Sequence, residues 1–117
     1  MTSYLVALVE QHDPDKNWVD TPYGPRFAEL LQKYGGEIIA ASDIEQVEGV
    51  PLAESRAAVF QFPTIDAVRS FWTDPGYEEV VELRRPLGTF QIFMVPGKDE
   101  VLSPSGRKAV ENLEQLS

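Results

Sequence analysis

Two arginines stand side by side at Arg84 and Arg85, in a chain of 117 residues that holds only ten lysines and arginines. They close the stretch DPGYEEVVELRRPLG, residues 74–88. Tyr77, Val80 and Val81 fall on one face of a helix there, and Arg84, seven residues after Tyr77, returns to that face. Arg85 turns away from it, into solvent. A guanidinium on an apolar stripe needs a carboxylate, helix-end carbonyls or a ligand anion, because an unpaired buried charge is costly. Arg84 is therefore read in two ways: as a structural partner of Glu48, or as an anchor for a carboxylate or similar oxyanion of a small molecule.

Other polar residues could share that chemistry. Arg56 could hold the same anion, or pair with Glu48 or Glu54. Glu48 and His12 are the candidates for moving a proton. Glu48 would need burial to raise its pKa, whereas a histidine titrates near neutrality unaided. Their plainer roles are a salt-bridge partner and a surface residue. Tyr77 could line a pocket with its hydroxyl, and Trp18 with Tyr23 could form an aromatic lid in a segment broken by prolines. The plainer role of all three is packing.

Several chemistries are excluded. The chain has no cysteine and one histidine, so neither thiolate nor multi-histidine metal sites are expected, and no metal is assigned. There is no G-x-S-x-G, G-x-x-x-x-G-K-[ST], G-x-G-x-x-G or H-E-x-x-H motif. No cofactor is expected. A net charge of −9 argues against nucleic acid and against anionic membranes as partners. Hydrophobic content of 43% suits a folded globule. No apolar run is long enough to span a bilayer, and the N-terminus lacks the basic start and long apolar core of a signal peptide, so a cytoplasmic location is expected.

The elements that must position these residues follow from periodicity. YLVALV, residues 4–9, reads as a strand. Phe27, Leu30, Leu31 and Tyr34 mark a helix that starts near Pro22 to Pro25 and stops at Gly35 and Gly36. Residues 37–49 read as a long strand with Ile38, Ala40, Ser42 and Ile44 on one face. RAAVFQF, residues 56–62, is a third strand. Thr64 caps a helix, and Asp74 followed by Pro75 restarts it. TFQIFMV, residues 89–95, is the fourth strand.

The order β-α-β-β-α-β predicts an α+β, ferredoxin-like sandwich with a four-stranded antiparallel sheet. Residues 1–97 form the expected domain, and residues 98–117 an extension of linker and short helix. This topology should bring His12, Glu48, Arg56 and Arg84 to one end of the sheet. Strands one and four are apolar on both faces, so the second face of the sheet needs cover, and a homodimer through sheet faces is expected.

The segments KYGGEIIA, VEG, RAAVFQFPTIDAVRSFW, DPGYEEVVELR and FMVPG, in this order and spacing, resemble the family called domain of unknown function 1330 over roughly residues 3–97. That resemblance implies a dimeric α+β barrel, in which two ferredoxin-like chains pair through their sheets. The superfamily includes cofactor-free monooxygenases, lactone isomerases and stress-response proteins, whereas the family itself has no established reaction. The chain departs from the family pattern at Ala41 and Ser42, where an arginine and a glycine are common, and at Asp74, where a serine is usual.

Two functions are compatible with these features. One is a cofactor-independent enzyme acting on a small organic acid, with Arg84 and Arg56 on the anion and Glu48 or His12 moving a proton. The other is a non-catalytic small-ligand-binding or stress-associated homodimer. An open apolar pocket with Arg84 aimed into it would favour the first, and a salt-bridge cluster at the sheet end the second.

Overall fold

The computed structural model describes residues 2–13, 15–52, 56–100 and 103–116. Glu54, one of the expected partners of Arg56, lies outside them, as do Pro14 in the expected lid and the end of the turn expected before the third strand.

Strand β1, Ser3–Gln11, alternates strictly: Leu5, Ala7 and Val9 are buried on one face, and the residues between them are half-buried on the other. Such an alternation suits a central strand, and β1 pairs antiparallel with both β3, Arg56–Phe62, and β4, Gly88–Val95. With β2, Glu37–Asp43, at the edge, the sheet order is β2-β3-β1-β4, the ferredoxin-like arrangement expected from the element order.

Helix α1 spans Tyr23–Lys33. It ends where the two glycines direct it to end. Gly35 takes φ 73°, Gly36 N–H donates to Leu31 O at 3.0 Å, and Gly35 N–H donates to Gln32 O at 3.1 Å. This is a Schellman motif, and the left-handed residue favours glycine. Helix α2, Ile65–Thr73, is capped by Thr64, whose hydroxyl accepts from Ala67 N–H at 3.1 Å.

Helix α3, Pro75–Arg84, starts at the Asp74 cap, which accepts from Gly76 N–H at 2.7 Å. The other carboxylate oxygen of Asp74 accepts from Lys33 Nζ at 2.8 Å and from the Tyr34 hydroxyl. Lys33, then Tyr34, then the Gly76 amide hold this carboxyl well below the usual carboxylate range. Asp74 thus fixes both the start of α3 and its seat against α1.

Helices α1 to α3 cover one face of the sheet. Phe62, Val68, Phe71 and Val80 are fully buried between them. The opposite face carries Val6, Val59 and Phe93 in register, with Phe93 half exposed.

Strand β2 departs from expectation. It ends at Asp43 rather than near residue 49, and its register against β3 slips between Ile38 and Ala40. This bulge inverts the alternation that follows. Ile38 pairs with Phe60, but Ala41 and Asp43 then pair with Ala58 and Arg56, so these share the helix-covered side while Ala40 and Ser42 face away. A single face shared by Ile38, Ala40 and Ser42 is therefore corrected, since one extra residue flips every side chain beyond it.

After β4, Glu100 ties the following segment back to β1 and α2. It accepts from Ser3 Oγ at 3.1 Å and from Ile65 N–H at 3.0 Å. A fourth helix, α4, spans Pro104–Leu116, with Leu113 and Leu116 exposed. No helix among the described residues is long and apolar enough to cross a membrane.

Candidate functional site

A cleft of about 720 Å³ opens at the end of the sheet where β1 finishes and β3 begins. The bulge in β2 brings Asp43 to its rim, where Arg56 Nε donates to Asp43 Oδ1 at 2.8 Å. Arg56 Nη1 also donates to Gln11 Oε1 at 3.0 Å. Gln11 in turn donates through Nε2 to Asp13 O at 2.7 Å and to Lys16 O at 2.9 Å, tying the loop after β1 to the rim. Both partners of the Arg56–Asp43 pair are largely exposed.

The wall above the cleft is a 3₁₀ turn, Trp18–Asp20, capped by Asn17, whose side chain accepts from Val19 N–H at 3.1 Å. The Trp18 carbonyl accepts from the Thr21 hydroxyl at 2.7 Å and packs on Gly24, where a Cβ would come within 2.6 Å of it. Only glycine permits that approach. Trp18 is thereby held edge-on to Tyr23, with ring centroids 5.3 Å apart, and tilted against Phe90 at 5.4 Å.

Behind Trp18 lies a second, smaller chamber of about 50 Å³, between the helices and the sheet. Arg84 reaches into it from the last turn of α3. Its guanidinium carbon lies 5.0 Å from the Phe90 ring centre and 5.4 Å from that of Tyr77, and Nη1 donates to the Tyr77 hydroxyl at 3.1 Å. Among the described residues Arg84 makes no salt bridge. Trp18, another wall of the chamber, carries a buried Nε1–H with no acceptor among the described residues. Burial pushes the Tyr23 hydroxyl up to about 12, against the pull of the Arg84 charge and with a smaller contribution from Tyr77. The walls of this chamber are mainly apolar and aromatic, with Arg84, Tyr77 and Tyr23 as its polar residues.

The structure gathers four of the six candidate residues around this pair of chambers. Arg56 and Trp18 line the cleft, and Arg84, Tyr77 and Trp18 line the chamber. His12 is not among the lining residues of either. It sits exposed against the α3–β4 turn, with Nδ1 3.3 Å from Pro86 O and Nε2 3.4 Å from Thr89 Oγ1.

Glu48 also lines neither. It lies exposed in the loop after β2, where the Gln46 side-chain amide donates to Glu48 O at 3.3 Å and to Val50 O at 2.7 Å. The expected pairing of Glu48 with Arg84 or Arg56 is therefore corrected, because β2 stops six residues before Gly49 and Asp43 takes the place beside Arg56. The adjacent arginines separate as their spacing predicts: Arg84 faces inward, whereas Arg85 is exposed and meets Glu82 at 3.4 Å.

Three contributors were not singled out from the sequence. Gln11 and Phe90 extend the pleat of Val9 at the same end of the sheet, a signal present in the alternation. Asp43 is hidden by the bulge, which alternation does not reveal. Among the described residues no group of three or more His, Cys, Asp or Glu side chains is placed to hold a metal ion.

The chain belongs to the family Domain of unknown function (DUF1330), whose model matches residues 2–98. No curated protein matches the sequence. Among solved structures, it is similar to the protein of unknown function RPA0582 from Rhodopseudomonas palustris, at 17% identity and a TM-score of 0.62, covering 88% of this chain and 84% of that one. It is also similar to SnoaB, a cofactor-independent oxygenase from Streptomyces nogalater, at 14% identity and a TM-score of 0.57, covering 88% and 97%. At these identities the likeness is one of fold.

Proposed function

We propose that this protein is a cofactor-independent enzyme acting on a small, partly apolar organic acid, whose anionic end is drawn to Arg84. The carrying observation is that guanidinium: it enters an aromatic-walled chamber, bonds a phenol and meets no carboxylate among the described residues. A ligand carboxylate is the natural complement of such a group. A guanidinium bonded to a phenol and flanked by aromatic rings also suits the stabilisation of an enolate or similar oxyanion, which is chemistry that needs no cofactor. The fold it shares with SnoaB, a cofactor-independent oxygenase, is compatible with this reading. His12 and Glu48 are not assigned the proton transfer, because neither lines the site.

The working form in this reading is a cytoplasmic homodimer, with the half-exposed Phe93 and its neighbours Val6 and Val59 covered by a second copy. One observation favours a non-catalytic ligand-binding dimer instead: among the described residues no carboxylate or imidazole lines the inner chamber.

The two readings part in one experiment. A panel of short alkyl and phenyl carboxylic and 2-oxo acids is screened by thermal shift, and the binders are then followed by proton NMR in D₂O. Loss of the C–H signal next to the carbonyl, with the wild type and not with Arg84→Met, supports an enzyme. Binding without exchange or conversion of any acid leaves the binding reading, and no binding at all rules out both.

A further inference from the structure

Trp72 is a large aromatic residue that the helix layer leaves 48% exposed. Beside it opens a pocket of about 280 Å³, lined by Leu5, Trp72, Tyr77, Ile92 and Met94. The pocket follows from how the elements meet. β4 is an outer strand of the sheet, and its residues Ile92 and Met94 are only half-buried. Trp72 stands in the last turn of α2 and Tyr77 in the first turn of α3, so the corner between these helices supplies one wall. Leu5, paired with Met94 in register, belongs to the sheet side. Asp74 holds the corner in place, since it caps α3 and is bonded to Lys33 and Tyr34. The wall is therefore set before a ligand arrives, which lowers the cost of binding.

The chemistry of this lining differs from that of the outer cleft, with which it shares no residue. Asp15, Lys16, Asp43 and Arg56 line the cleft, whereas among the described residues no charged side chain lines the pocket beside Trp72. An ion taken into such a pocket would give up water without gaining a counter-charge. Size narrows the guest further. A cavity of about 150 Å³ with apolar walls accepts benzene, so the larger pocket here suits one or two fused rings. The rings of Trp72 and Tyr77 offer faces and edges to a flat guest, and the flexible Met94 thioether adapts to its outline.

We propose that this pocket binds a neutral, flat, apolar molecule of one or two rings. The site goes beyond the proposed function and does not depend on it. A small molecule fits it better than a second copy of the chain does. The sheet face assigned to a second copy carries Phe93, and strand alternation turns Ile92 and Met94 to the opposite side, so that pairing leaves the pocket open. Tyr77, a wall of the pocket, also accepts the hydrogen bond from Arg84, so the two sites meet at one side chain.

The chain has two methionines, Met1 and Met94, which makes Met94 a convenient reporter. The methionine methyl groups of the whole chain are isotope-labelled, and Met94→Leu identifies the Met94 signal. Indole, 2-naphthol and 2-naphthoate are then titrated at neutral pH, where only the last is charged. Indole and 2-naphthol should shift the Met94 signal saturably. Read at Met94, 2-naphthoate should bind at least tenfold more weakly than 2-naphthol, because the same rings now carry a carboxylate. Trp72→Ala should weaken 2-naphthol binding by about tenfold through loss of one aromatic wall. Because that variant also alters the pocket's shape, the Met94 shift in the wild type stands as the independent measurement. A Met94 signal that no neutral ring compound moves, or 2-naphthoate binding there as tightly as 2-naphthol, would overturn the site. So would a Met94 signal that responds to protein concentration and not to 2-naphthol, which would mean that a second copy covers the pocket. Each of these results would leave the proposed function standing.

Discussion

Arg56 and Arg84 are the same residue type set at two compartments that share a wall, and they are treated in opposite ways. Arg56 stands at the rim, half exposed, with Asp43 and Gln11 both bonded to it. Arg84 stands in the chamber, against two aromatic rings and one phenol, with no carboxylate among the described residues. A satisfied, solvated pair contributes little to stability and has little left to offer a ligand. A guanidinium held by rings and a single hydroxyl keeps donors for an incoming anion. Exposure alone would nominate Arg56 for the proposed anion. The partners already made by each side chain distinguish them.

The comparison can be broken first at the support of the chamber. Phe71 is fully buried and packs its ring against those of Phe27, Phe62 and Tyr77 at 5.8, 5.4 and 5.4 Å. Phe71→Ala should lower unfolding stability by about 3–5 kcal/mol in a denaturant titration, the usual loss for a core aromatic. A loss below about 1 kcal/mol would mean that the rings around Arg84 are loosely held.

The next effect is smaller and depends on pH. The Tyr23 hydroxyl is raised by burial from 10.0 to about 12, so the folded state favours its neutral form. The associated stability is complete below about pH 10 and is lost as pH rises toward 12. Melts across that window should show a decline of about 2 kcal/mol that Tyr23→Phe largely removes. Tyr34, raised first by its hydrogen bond to Asp74, will contribute part of the remaining slope. An unchanged decline in Tyr23→Phe would show that the chamber is wetter than its walls imply.

Arg56→Ala should cost at most about 1 kcal/mol, because its ion pair is exposed. Arg85→Ala, at the solvated neighbour of Arg84, should change stability by about 0.5 kcal/mol or less. Should Arg85→Ala weaken acid binding more than Arg84→Ala, the inward and outward assignment of the adjacent arginines would be reversed.

Much of this arrangement is legible in the chain. Thr64, Asp74 with Pro75, and Gly35 with Gly36 mark element ends by local hydrogen bonding, which sequence expresses directly. The inward phase of Arg84 follows from its seven-residue offset to Tyr77. Convergence at one sheet end followed from topology, but topology places backbones and not side chains. Glu48 was misplaced because a one-residue bulge and an early strand end set where β2 delivers its acids, and neither leaves a periodic trace. His12 stands at the expected end of the sheet, but the turn after α3 draws its ring toward Pro86 and Thr89 rather than into either chamber, a tertiary contact with no local signature. Trp18 and Tyr23 were visible as aromatic lid candidates, yet only packing on Gly24 and Phe90 shows that Trp18 divides two compartments.

The most direct measurement compares the two arginines against one ligand. The tightest acid from the panel is titrated calorimetrically into Arg84→Met and Arg56→Met, with thermal melts of both ligand-free proteins as controls. Arg84→Met should bind at least tenfold more weakly while its ligand-free protein melts no lower than wild type, since an apolar chain replaces a charge that meets no carboxylate among the described residues. Arg56→Met should stay within about threefold of wild-type affinity. Wild-type affinity in Arg84→Met together with a tenfold loss in Arg56→Met would contradict the assignment and place the anion at the rim.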